Sequence, residues 1–110
     1  MASTYKVLGQ ARPANTNAAA LYTVPTGGQT VVSTITVANV TSNPAAFDIY
    51  VGVDGAAASA ANAVAFGVTL TGSQTQALTL GITADAGDVI HVKSSVASAL
   101  TFSAFGLEIS

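Results

Sequence analysis

The chain has 110 residues, half of them apolar but only 6% aromatic and 7% charged, and its formal net charge is −2. Three basic side chains, Lys6, Arg12 and Lys93, stand against Asp48, Asp54, Asp85, Asp88 and Glu108. That balance excludes a nucleic-acid-binding surface, because clustered Lys and Arg supply most of the affinity for phosphate. Cysteine is absent, so neither a disulfide frame nor a thiolate metal site is available and the fold rests on packing and hydrogen bonds.

In chain order, residues 5–8 read as a short first strand, stopped by Gly9 and by Pro13, whose missing N–H cannot serve a central ladder. Residues 10–17 read as a connector, and 1–17 together can be read as an extended N-terminal arm. Residues 19–24 are a second strand, closed by Pro25 and by a turn in which Gly27 and Gly28 permit positive φ. In the long strand 30–40, Val31, Ile35 and Val37 are expected on an apolar face, alternating with Val32, Thr34 and Thr36. After the Thr41-Ser42-Asn43-Pro44 turn, residues 46–54 put Phe47, Ile49, Val51 and Val53 on one face and Asp48, Tyr50 and Gly52 on the other.

Asp54-Gly55 is a strong turn signal. The alanine-rich stretch 55–63 has no apolar stripe and is too short for a stable helix, so it is expected to be a loop with one helical turn. Residues 64–70 and 74–80 read as strands about the Thr71-Gly72-Ser73 turn, and 81–87 as a loop closing on Asp88. Residues 88–94 set Val89, His91 and Lys93 against Ile90 and Val92. The last strand, 100–109, sets Phe105, Leu107 and Ile109 against Phe102, Ala104 and Glu108.

About eight strands, at the spacing usual between turn signals, make an all-β chain with no amphipathic helix. The expected architecture is one domain, residues 1–110, built as a two-sheet β-sandwich of jelly-roll or immunoglobulin-like type. Many of the apolar residues are Ala, and at about 25 cal/mol per Å² small side chains gain little by burial. A lone subunit would be thinly stabilised, so self-association is expected, with apolar outer faces covered by neighbouring copies. The opening residues show no basic start followed by an apolar run, and no stretch of about 18 apolar residues occurs. The expectation is a soluble protein, neither secreted by a signal peptide nor membrane-spanning.

Reactive groups are scarce. His91 is the single histidine, and without a partner imidazole or thiol it reads as a polar residue on a half-exposed strand face rather than a general base. Asp85 and Asp88 flank Gly87 and could begin a Ca²⁺ site, but such a site needs roughly six to eight oxygens; turn residues bonding their own backbone are the plainer reading. The pairs Thr34/Thr36 and Thr69/Thr71 could order water on a flat sheet, although ordinary β-propensity accounts for them. Tyr5, Tyr22 and Tyr50 are few for stacking sugar rings. No nucleophile elbow, phosphate loop or dinucleotide fingerprint is present. The expectation is no enzymatic activity, with no catalytic, cofactor-binding or metal-ligating residue.

The segments YKVLGQARP (5–13), LYTVP (21–25), TVVSTITVANVTSNPAAFDIYV (30–51), AGDVIHVKSS (86–95) and LTFSAFGLEIS (100–110) together resemble small structural proteins of tailed bacteriophages, including cyanophages. LYTVP, the V-x-N of Val37-Ala38-Asn39, and the GD-x-I-x-V of residues 87–92 carry the resemblance in order. It implies a β-rich virion component assembled in the host cytoplasm. Its role would be a capsid decoration (cement) protein that self-associates, most simply as a homotrimer, and docks on the major capsid protein. The resemblance equally covers a tail- or baseplate-associated protein, including a module for host-surface glycans. It brings no site residues with it; the alanine-rich 55–63 stretch is where this chain departs from the pattern.

Overall fold

A computed structural model describes residues 3–110. Nine strands occur among them: β1 (Ser3–Ala11), β2 (Ala19–Thr23), β3 (Gln29–Asn39), β4 (Ala45–Gly52), β5 (Ala63–Leu70), β6 (Thr75–Leu78), β7 (Ile82–Asp85), β8 (Val89–Ser94) and β9 (Leu100–Ile109). The first sheet runs β1-β9-β3-β6, with β7 also pairing with β3, and the second runs β2-β8-β4-β5. All the pairings are antiparallel. If β6 and β7 are taken as one interrupted strand, the ladders are nested: β1 with β9, β2 with β8, β3 with β6/β7, and β4 with β5. That nesting is a jelly roll, which decides between the two sandwich topologies open to the sequence.

Alternation builds the core as expected, with one displacement. Leu100, Phe102 and Ala104 from β9 and Ile35 and Val37 from β3 meet Phe47, Ile49, Ile90 and Val92 from the second sheet, all of them buried. The Phe47 and Phe102 rings cross between the sheets edge-to-face, centroids 6.2 Å apart at 79°. On β3, however, Val32 is buried and Val31 faces outward. The register with β9 slips between Val32 and Thr34, and this bulge at Ser33 shifts the alternation by one residue, inverting the expected faces of the first two valines. Opposite the bulge lies Gly106, where a Cβ would overlap the Val31 carbonyl.

Other boundaries move for similar reasons. β1 continues past Gly9 because a second register shift, between Val7 and Gly9, absorbs Leu8 into the core side. Of the residues read as an arm, Ser3–Ala11 are thus sheet. The connector behind them is pinned by Arg12 Nε donating to the Ser98 carbonyl at 2.9 Å and Ser98 N donating to the Pro13 carbonyl at 2.8 Å. Residues 82–85, expected as loop, form β7, because Ile82 and Ala84 alternate toward the core opposite Val32 and Thr30. Gly81, at φ 60°, separates it from β6. Val53 does not join the core but is 62% exposed; it opens a 3-10 turn, Val53–Gly55, and a second such turn covers Ala60–Asn62.

Candidate functional site

The second sheet has a dressed outer surface. Asp48 and Tyr50 on β4 stand across from Lys93 and His91 on β8. The two 3-10 turns lie against β4 and β8, and His91 Nε2 lies 3.0 Å from the Ala56 carbonyl. A carbonyl can only accept, so the imidazole donates here and its bond goes to backbone, not to a carboxylate. Close approach of Ala56 to Gly52 leaves no room for a side chain at that glycine. On the sheet that this strap lies against, Tyr50 is only 4% exposed. Its hydroxyl donates to Asp48 Oδ2 at 2.6 Å, and Gly67 N donates to Oδ1 at 2.7 Å. Burial first, and then the Asp48 carboxylate, push the Tyr50 phenol up to about 12.

Beside the strap an open depression of about 550 Å³ remains, lined among others by Thr16, Asn17, Asp48, Phe66, Lys93 and Ser95. Phe66 is 65% exposed. Each oxygen of Asp48 accepts one hydrogen bond, Oδ2 from Tyr50 and Oδ1 from Gly67 N, which fixes the carboxylate at the wall of the depression.

The two aspartates singled out in the sequence share one turn. Asp88 accepts from Asp54 N through Oδ1 and from Asp85 N through Oδ2, each at 2.9 Å, while Asp85 Oδ1 accepts from Ala86 N. The two backbone donors hold the Asp88 carboxyl below its ordinary value against the opposing effect of burial. Its oxygens therefore clamp the 53–55 turn to the 85–88 turn. Among the described residues no group of three or more His, Asp or Glu is placed to hold a metal ion.

A further polar cluster lies between the sheets. The Tyr22 hydroxyl donates to Glu108 Oε2 at 2.5 Å and sits 2.8 Å from Thr30 Oγ1; Lys6 Nζ reaches Glu108 Oε1 at 3.4 Å. With the phenol proton given to Glu108, the Thr30 hydroxyl is left to donate to Tyr22. Burial, then Glu108, raises the Tyr22 phenol to about 12, and the bond from Tyr22, with Lys6 assisting, holds Glu108 below its ordinary value. Tyr22 and Tyr50 are thus structural, which leaves Tyr5 as the exposed member of the three. Thr34 and Thr36 lie on the first sheet and Thr69 on the second. Thr71 hydrogen-bonds Gln74 in a turn, so the threonines form no continuous array.

Sequence reasoning passed over Asn39, the last residue of the V-x-N element. It is 3% exposed, and its amide nitrogen donates to the carbonyls of Asn43, Leu70 and Thr71 while its Oδ1 accepts from the backbone and hydroxyl of Thr41. It ties the β3–β4 turn to the β5–β6 turn. The signal was available: an amide at the end of an apolar strand needs partners on both of its atoms.

The outer surface of the first sheet is of another kind. Cross-strand rows place Tyr5, Leu107, Val31 and Thr83 in one line, Val7, Phe105 and Thr34 in the next, and Gln10, Ser103, Thr36 and Ala77 beyond them. Tyr5 is 85% and Val7 50% exposed, while Val31, Phe105 and Leu107 are half-buried by their neighbours. The one charged side chain in these outward rows, Asp85, sits at the corner opposite Gln29. Among the described residues, both 3-10 turns lie against the other sheet.

No family model matches the chain, and no curated protein matches it. Among solved structures, a chain of "Structure of infectious bursal disease virus Gx strain" superposes with a TM-score of 0.43 at 13% identity, over 97% of this chain and 31% of that one. This chain therefore spans about a third of the length of that protein, and a likeness this distant carries no functional inference.

Proposed function

We propose that the protein is a non-enzymatic structural component of a tailed-phage virion: a capsid decoration (cement) protein that self-associates, as a trimer, and docks on the major capsid protein. One observation supports this above the sequence resemblance. The Tyr22 and Tyr50 phenols and the Asp48, Asp88 and Glu108 carboxylates are hydrogen-bonded within the chain, while a sheet face whose one charged side chain, Asp85, sits at its corner stands open. A jelly roll is also used by shell proteins, an analogy at the level of fold only. Purified protein added to capsids stripped of accessory proteins should bind saturably and raise the temperature at which they rupture. Absence of binding, with copurification alongside tail tubes or baseplates, would place it in the tail instead.

The depression beside Phe66 supports a second reading, a tail-borne module for host-surface glycans, since an exposed ring flanked by Lys93, Asn17 and Thr16 suits a sugar's apolar face and hydroxyls. Specific signals on a glycan array that vanish in Phe66→Ala would favour it over the cement role.

A further inference from the structure

From the contrast between the two outer surfaces, we infer that the outward face of the β1-β9-β3 sheet, centred on Tyr5, Val7, Val31, Phe105 and Leu107, is the surface that a second copy of this chain covers. The inference rests on the self-associating role proposed above and supplies its contact surface.

Three observations lead to it. The face is apolar without being hydrophobic enough to look like an exposed core: aromatic and aliphatic side chains run from the β1 edge across β9 to β3, bordered by Thr, Ser, Gln and Ala on the other sides. Apolar area bordered by polar side chains is the layout of a protein contact. The face also carries no charge apart from Asp85 at its corner, so a copy of the same net-negative chain can approach it without setting like charges together. Third, its size fits. Four strands across, β1, β9, β3 and the β6/β7 pair, spaced at about 4.8 Å and rising about 3.3 Å per residue, give a face of roughly 20 by 30 Å, or about 600 Å² in projection. That is of the order of the about 800 Å² that each partner contributes to a standard interface.

The edges of the same sheet point away from the other route to assembly, strand-to-strand addition. β1 carries a bulge at Leu8 and the basic side chain of Lys6, and the opposite edge is broken between β6 and β7. Both are devices that discourage edge pairing. Within this sheet that leaves contact through the face.

The test is a sedimentation-velocity concentration series on the whole chain, with Tyr5→Lys alone, with Tyr5→Lys combined with Val7→Lys, and with Phe66→Lys as a control on the other sheet. The wild type should associate at micromolar concentration. The face variants should weaken association at least about tenfold while keeping the wild-type circular dichroism spectrum and, at a concentration where both are monomers, the wild-type melting temperature, and Phe66→Lys should change nothing. Tyr5 is so exposed that its single variant has no reason to misfold.

A wild type that stays a 10.8 kDa monomer at about 100 µM, far above the dissociation constant of any standard interface, would overturn the inference. So would face variants that associate normally, or variants that lose capsid binding with unchanged sedimentation, since the occupant would then be the capsid protein. A monomer that still coats stripped capsids leaves the virion role standing and removes only the second copy. An oligomer that dissolves in Tyr5→Lys yet ignores capsids upholds the face and removes the cement role.

Discussion

On one side of the sandwich the chain shields its own sheet: the 53–62 segment lies against β4 and β8 and gives His91 a backbone partner, and Tyr50 beside it is buried. On the other side the rows from β1, β9 and β3 stay bare, although Tyr5 and Val7 there are as apolar as anything under the strap. The alanine-rich stretch explains the difference. Small side chains lie close to a sheet, as the approach of Ala56 to Gly52 shows, and cost little side-chain entropy when ordered. The comparison teaches that the protein satisfies many of its polar groups internally while leaving apolar area exposed on its first sheet.

The largest effect should come from what the two sides share. Phe102→Ala removes the ring that meets Phe47 between the sheets and should cost about 3–5 kcal/mol in urea unfolding, with both faces lost in one transition. Asn39→Ala should follow at about 2–3 kcal/mol, because three carbonyls and the Thr41 N–H lose their partner. A loss below half a kcal/mol would mean that water reaches those turns.

Tyr22→Phe should cost about 0.5–1.5 kcal/mol near neutral pH, and its pH profile sharpens the contrast. Asp88 and Glu108 have lowered folded values, so their contribution is present above their unfolded values and disappears as pH falls through the folded ones. Tyr22 and Tyr50 are raised to about 12, so theirs is complete below the ordinary value of 10.0 and fades as pH climbs toward 12. The variant should flatten both limbs by removing the Tyr22–Glu108 bond, leaving an acid limb from Asp88 and an alkaline one from Tyr50. An unchanged acid limb would show that the Tyr22 bond does not hold Glu108 down.

The smallest effect is expected on the bare face. Tyr5→Ser should shift the stability of the monomer by no more than about 0.5 kcal/mol, measured at a concentration where no association occurs. A loss above about 1.5 kcal/mol there would mean that Tyr5 is packed within its own subunit.

Much of the fold was legible because antiparallel strands with one buried side advertise themselves by period two, and β4, β8 and β9 carry that pattern without interruption in the sequence. Where a bulge intervenes, as at Ser33 and Leu8, the pattern reads correctly on each side but out of phase across it, which is why Val31 was expected inside and Val32 outside. β7 was missed because four residues between Gly81 and the Asp85–Asp88 turn carry too short an alternation to outweigh their flanks. The outer faces were less legible. Tyr50 falls on the face of β4 opposite Phe47 and Ile49 and yet is buried, and nothing local to Tyr5 reveals that it stands 85% exposed.

Pairing β1 against β9 sets Ser3 beside Ile109, so both ends of the described chain leave from one corner of the bare sheet. Tags or fused domains attached at either end would therefore crowd the same spot and hinder whatever approaches that face. A label meant to leave it accessible belongs in the alanine strap, on the far side of the sandwich.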